Sequence, residues 1–199
     1  MMAGGALDRL VVLGGGAVGK SSLTLRFVSG NFVDGVHDPT IEDTYRQTIE
    51  VDGEVSTAEV VDTAGQQEFR VLLGSWITSC EAVVIVYSVT SRESLEEAEE
   101  FYKQVQRRRE GEDLPIVLVG NKCDLEEQRV VSKKEGEQLA QSWTNATWME
   151  ASAKTPVNDI ELFEEAVRRC RKHKSGGIQD TPAKRSLKSR LRNGPCLIM

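Results

Sequence analysis

The chain has 199 residues, enough at roughly 150 residues per domain for one compact domain and a tail, or two very small domains. Its 39% hydrophobic and 28% charged residues are those of an ordinary globular protein, which excludes a collagen, a coiled coil or a membrane channel, and no apolar run approaches the roughly 18 residues needed to span a bilayer. The net charge of -6 averages two unlike parts: eight basic residues against Asp180 alone give +7 over residues 171–199, so the preceding residues carry -13.

In chain order, residues 10–13 form a short unbroken apolar run, and a glycine-rich segment separates it from a helical pattern over 22–28. Residues 44–51 and 54–61 alternate in character and are joined by Asp52-Gly53, a type I′ hairpin signal. Residues 82–87 and 116–120 are again continuous, β-branched apolar runs, the pattern of strands buried on both faces of a parallel sheet. Between them, residues 91–109 read as a helix opened by a serine N-cap, with acids early and bases late. A helix over 133–143, a strand over 148–151 and a helix over 159–172 complete the pattern. Strands alternating with helices predict an α/β fold, and the hairpin adds one antiparallel edge strand, giving a six-stranded mixed sheet. After Lys174 the chain turns Gly, Ser, Pro and Lys/Arg rich, so one domain is expected over 1–173 and a flexible basic tail over 174–199, with no internal repeat.

Three segments carry chemistry. Gly14-Gly15-Gly16-Ala17-Val18-Gly19-Lys20-Ser21 fits G-x-x-x-x-G-K-[ST] between a strand and a helix. Backbone N–H groups can wrap phosphate oxygens there, Lys20 reaches the outer phosphates and the Ser21 hydroxyl suits Mg²⁺. Asn121-Lys122-Cys123-Asp124 follows the strand at 116–120, at the sheet edge where α/β proteins bind ligands. The Asp124 carboxylate accepts hydrogen bonds from the ring N–H and amine of guanine, whereas adenine presents an acceptor to it. Asp62-Thr63-Ala64-Gly65-Gln66 ends the strand begun at Glu54. Its carboxylate can hold Mg²⁺ through water, Gly65 can contact the terminal phosphate, and Gln66 can orient an attacking water.

With Asp38-Pro39-Thr40-Ile41-Glu42-Asp43-Thr44-Tyr45 and Glu150-Ala151-Ser152-Ala153-Lys154, these segments stand in the order of the Ras family of small GTPases, which the chain resembles from about Arg9 to Lys172 and in its tail. The resemblance implies a P-loop sheet flanked by about five helices, binding GTP or GDP with Mg²⁺ and hydrolysing GTP. It implies that Thr40 joins Ser21 and, through water, Asp62 at the metal, and that Gln66, Lys20 and Thr40 are the catalytic residues. Nucleotide contacts are implied for residues 14–21, Ser22, Phe32, Val33, Asp34, Pro39, Thr40, Gly65, Asn121, Lys122, Asp124, Leu125, Ser152, Ala153 and Lys154, with Phe32 against the guanine. The segment His37-Asp38-Pro39-Thr40-Ile41-Glu42-Asp43-Thr44-Tyr45 becomes the surface read by effectors. Exchange factors, activating proteins and GTP-dependent effectors are the implied partners, the protein acting as a monomer. An arginine from an activating protein speeds the slow intrinsic hydrolysis of this family roughly 10⁵-fold. Intact Gly16 and Gln66 resemble hydrolysis-competent members. One departure is Asp34-Gly35-Val36-His37, a residue longer than in Ras proteins and with His37 where a tyrosine usually covers the phosphates, which predicts a looser switch segment.

Cys196-Leu197-Ile198-Met199 fits C-a-a-X, and its terminal methionine favours a farnesyl group on Cys196. One lipid holds a membrane only marginally, so Lys184, Arg185, Lys188, Arg190 and Arg192 are the expected second signal at an anionic inner leaflet. The acidic body predicts no nucleic-acid partner. Cys80, Cys123, Cys170 and Cys196 lack metal-ligand spacing and no secretory signal precedes the first apolar run, so the expected location is the cytoplasmic face of the plasma membrane. Alternative readings are a non-hydrolysing GTP-binding scaffold, disfavoured by Gln66, Thr40 and Lys20, and a vesicle-transport GTPase, which ends in paired cysteines. An ATP-dependent kinase is disfavoured by Asn121 and Asp124.

Overall fold

The computed structural model describes residues 6–32, 42–63, 73–110 and 112–176. Six strands, β1 (Leu7–Leu13), β2 (Glu42–Val51), β3 (Glu54–Thr63), β4 (Ala82–Ser88), β5 (Ile116–Asn121) and β6 (Ala146–Glu150), form one sheet in the order β2-β3-β1-β4-β5-β6. Every pairing is parallel except β2 with β3. Among the described residues five α-helices accompany them: α1 (Lys20–Ser29), α2 (Leu73–Ser79), α3 (Arg92–Arg108), α4 (Lys133–Ser142) and, after β6, α5 (Glu161–Lys174). The mixed six-stranded sheet with one antiparallel edge is the one the sequence predicts.

Period-two alternation divides the core. Leu10, Val12, Val84, Val86, Val117 and Val119 face α1 and α5, where Phe27 and Phe163 stack with ring centroids 4.3 Å apart. Val11, Leu13, Val83, Ile85, Ile116 and Leu118 face the opposite layer, with Trp76 of α2, Phe101 of α3 and Ala140 of α4. Each such side chain contributes about 1.5–3 kcal/mol on burial, which is why the central strands are apolar on both faces. Hairpin geometry follows from Asp52 (φ 54°) and Gly53 (φ 80°), both left-handed as a type I′ turn requires. Both hairpin strands run two residues further than their alternation suggests, pairing Glu42 with Thr63 and Asp43 with Asp62. That extension fixes Asp62 at the end of the sheet.

Both ends of β6 and of α5 differ from the sequence expectation. The strand β6 starts at Ala146 because Ala146 pairs with Ile116, and it ends at Glu150 as Ala151 turns to donate its N–H to the Gly120 carbonyl. Asp159 does not open α5: its carboxylate is engaged by Arg26 Nε at 2.7 Å, and the helix begins at Glu161. The same helix runs to Lys174, whose ammonium donates to the Leu7 carbonyl at 3.2 Å. The short α2 carries only Leu73, Trp76 and Ile77 as buried residues, too little pattern to read from sequence. Residues 177–199, and with them the tail and Cys196, lie outside the described residues.

Beneath the sheet, Asp8, Glu81 and Cys170 bring their ligand atoms within 4.8 Å of one another. The protein supplies its own cation there: Lys174 Nζ lies 3.0 Å from Asp8 and 2.8 Å from Glu81, and Arg171 approaches Asp8 at 3.6 Å. Burial pushes the Cys170 thiol up to about 12, which keeps it protonated and inert. Burial also opposes the charge of Asp8, but the Ser56 hydroxyl and Lys174 ammonium outweigh it and hold the carboxyl below its ordinary value of 3.8. A carboxyl so depressed binds fewer protons folded than unfolded, so its stabilisation is present above pH 3.8 and is lost as pH falls through the folded value. Denaturant titrations should therefore show that Asp8→Asn is less stable at pH 7 by about 1–3 kcal/mol. The deficit should shrink on acidification towards pH 3, and a deficit independent of pH would contradict this assignment.

Candidate nucleotide-binding site

Loops after β1, β5 and β6 meet the end of β3 at the carboxyl edge of the sheet. The strand β1 lies between β3 and β4, so chain connections leave it in both directions and open a crevice at its end. The loop 14–19 enters that crevice with Gly14 at φ 148°, Ala17 at φ 57° and Gly19 at φ 94°. Alternation of left- and right-handed backbone is the arrangement that makes a concavity of successive N–H groups. Glycine is needed twice for close approach as well: a Cβ on Gly14 would run into the Val86 carbonyl, and one on Gly19 into the Asn121 side chain. Gly19 also gives α1 an N-terminus without a side-chain cap, leaving its first N–H groups for an anion.

Lys20 is 6% exposed, and its ammonium donates to the Gly15 carbonyl at 2.8 Å. Burial pulls it down to about 8, while the Asp62 and Glu97 carboxylates oppose that fall. Asp62 stands at 1% exposure where β3 ends, level with Val12 of β1. Ser21 follows Lys20 in the first turn of α1, and Ser22 is half-buried beside it. Among the described residues no atom lies within 4 Å of a Cβ position at Gly16.

The second loop is tied to the first by two bonds. Asn121 Nδ2 donates to the Val18 carbonyl at 2.8 Å, and Lys122 Nζ donates to the Ala17 carbonyl at 2.7 Å. Lys122 takes φ 64° to make this turn. Asp124 is half-buried, and the Ser152 hydroxyl donates to its Oδ1 at 2.5 Å. Ser152 in turn accepts the Thr155 N–H at 3.0 Å, and Leu125 closes the turn by donating to the Lys122 carbonyl. Ala153 is buried against this wall and Lys154 is exposed above it. Phe32 is half-buried, packed against the core cluster that includes Phe27. The loops bearing residues 14–21, 121–125 and 152–154 thus form one site.

Chemistry and match now coincide: a phosphate loop bonded directly to an Asn-Lys-Cys-Asp turn, in a chain that matches the Ras family over residues 9–172. The chain belongs to the Ras family. It is therefore a small GTPase domain, and Ras-family GTPases bind GTP or GDP with Mg²⁺. The residues in place suit those groups. A hydroxyl on Ser21 and the buried Asp62 carboxylate are hard oxygen donors of the kind Mg²⁺ prefers. Asn121 Oδ1 is buried with no hydrogen-bond donor among the described residues.

Val33, Asp34, His37, Asp38, Pro39, Thr40, Ile41, Gly65 and Gln66 lie outside the described residues, as does the extra length beside His37. Glu42, Asp43 and Thr44 are exposed at the start of the edge strand β2, with Tyr45 half-buried beyond them. Burial, then Asp43 and Asp62, raise the Tyr45 hydroxyl above its ordinary value of 10.0.

Sequence reasoning missed the brace behind the base pocket. Arg129 Nη1 donates to Glu150 at 2.6 Å and Nε donates to Glu126 at 2.8 Å, with the Arg129 side chain 12% and that of Glu150 10% exposed. Asn158 Nδ2 donates to the Glu150 carbonyl at 2.6 Å. This network joins the segment after Asp124 to the segment before Ser152. Arg129 and Glu150 are 21 residues apart, so no local pattern announces the pair.

Proposed function

We propose that this domain is a signalling switch that hydrolyses bound GTP and, while GTP remains, recruits effector proteins at an anionic membrane surface. The observation that carries the reading is the pair of bonds from Asn121 and Lys122 to the phosphate loop. They support a reading in which base selection and phosphate binding belong to one unit. In the proposed reaction the N–H groups of residues 14–21 hold the phosphate oxygens and the Lys20 ammonium neutralises charge on the outer ones. Gln66 orients a water whose oxygen attacks the terminal phosphorus, the bond from that phosphorus to the bridging oxygen breaks, and GDP and phosphate leave. Ser21 and Thr40, with Asp62 through water, would hold Mg²⁺, which supplies charge neutralisation at the phosphates. Thr40 and Gly65 then lose their anchor on the terminal phosphate, and the segment 37–45 releases its effector.

Support for the output comes from the acidic, exposed start of β2, which suits a basic partner surface. Membrane attachment would use a farnesyl group on Cys196 and the five basic residues from Lys184 to Arg192. Loading the full chain with GDP or with a non-hydrolysable GTP analogue, and capturing partners with each, tests the switch. Proteins held only by the analogue-loaded form are expected; identical sets in both states would contradict it. Farnesylated protein should sediment with phosphatidylserine vesicles and Cys196→Ser should not. Equal sedimentation would remove the membrane part of the proposal.

A further inference from the structure

Gly15 is the one loop glycine whose identity neither backbone nor the nucleotide-binding reading explains: its φ is not left-handed, unlike those of Gly14 and Gly19. What the position lacks is room. A Cβ built there overlaps Glu97 Oε2 and sits 3.0 Å from Glu97 Cδ. Glu97 comes from the middle of α3, is half-buried, and lies on the same face as Ser94 and Phe101. Its carboxylate is thus seated against the Gly15 backbone. The Gly15 carbonyl accepts the Lys20 ammonium at 2.8 Å. Gly15 therefore lies between the Glu97 carboxylate and the buried cation of the site, with Asp62 as the second carboxylate in the field of Lys20.

A nucleotide entering this loop brings further negative charge to the same cation. Within a partly desolvated crevice like charges repel over several ångströms, far more strongly than in bulk water. We propose that Glu97 is a positioning and tuning residue of the phosphate loop, a built-in counter-charge seated on Gly15 that loosens the hold on nucleotide and sets the pace of its release. Glycine at position 15 is the seat: any side chain there would displace the carboxylate, which as the end of a flexible chain can swing away without disturbing the fold. Glu97 acts through Gly15 and Lys20 and not as a catalytic residue.

The inference rests on the nucleotide-binding reading, and its test separates the two. Release of a fluorescent GDP analogue is followed, in Mg²⁺, from wild type, Glu97→Gln, Glu97→Ala, Gly15→Ala and the Gly15→Ala/Glu97→Ala double variant. Glu97→Gln keeps the shape and one acceptor oxygen while removing the charge, so a merely space-filling role leaves it at the wild-type rate. The expected result is release about 10-fold slower in each single variant, a change of one decade or about 1.4 kcal/mol. The double variant should be no slower than either single, because both substitutions remove the same seated charge. Thermal midpoints near wild type would accompany these rates. Wild-type release, or faster, from Glu97→Gln overturns the proposal, as do additive effects in the double variant. Failure of the wild-type protein to bind the analogue overturns the nucleotide-binding reading itself.

Discussion

Replacing Asp124 by asparagine should lower affinity for GTP by about 10³-fold and turn the site toward a base bearing a carbonyl where guanine has its amine. A carboxylate offers acceptors only, and two N–H groups of guanine can share them. Each charge-assisted bond contributes about 1.5–3 kcal/mol, and asparagine removes the charge and points an NH₂ donor at a donor. The substitution is conservative for the fold. Oδ1 can still accept the Ser152 hydroxyl that now reaches it at 2.5 Å, and Ser152 can still accept the Thr155 N–H. Thermal melting without nucleotide should therefore stay close to wild type. Titration with GTP and xanthosine triphosphate checks both halves of the expectation, and undiminished GTP affinity would remove Asp124 from the base pocket.

The second large effect is expected at Lys20, where function and stability should move in opposite directions. Lys20→Met keeps length and apolar stem but deletes the cation, which costs about 3–5 kcal/mol of phosphate binding, or roughly 10²–10³-fold or more in affinity. Without nucleotide the same change removes a burden. The ammonium is buried, pulled down to about 8, so folding works against its charge. A lysine depressed in the folded state leaves the unfolded chain binding more protons between about 8 and 10.5, and the wild-type protein regains stability across that window. The variant should accordingly be the more stable below pH 8, with the gap closing as pH rises. Paired denaturation series at pH 7 and pH 10, with equilibrium binding at pH 7, check this. A variant less stable than wild type at both pH values would contradict the assigned burden.

Both predictions fall on residues legible in the sequence, and that is a consequence of how the site is built. The phosphate and guanine contacts we propose fall on contiguous loop segments after strands, so 14–21 and 121–124 keep their pattern in one dimension. The central strands are legible for a related reason, since β4 and β5 are buried on both faces and are apolar until their last residues, Ser88 and Asn121. What stays hidden is whatever depends on pairing across the fold. Edge strand β6 is half-buried throughout, so its start at Ala146 is set by its partner Ile116 and not by its own composition. Seven-residue α2 has too few turns to show a period. Glu97 looks like one more acid on the outer face of α3, and only the approach of Gly15 distinguishes it. Arg129 and Glu150 likewise acquire meaning through a 2.6 Å contact between distant segments.

The central claim is that residues 14–21 and 121–124 act as one guanine-specific site whose bound GTP is turned over. Single-turnover assays on the full chain, with GTP or ATP in Mg²⁺ and released phosphate followed in time, test it most directly. Stoichiometric GTP binding, slow first-order release of one phosphate per protein and no comparable binding of ATP are the predicted results. Equal binding of ATP and GTP would contradict the base-pocket assignment. Bound GTP that yields no phosphate, even with an activating protein supplying an arginine, would contradict the switch.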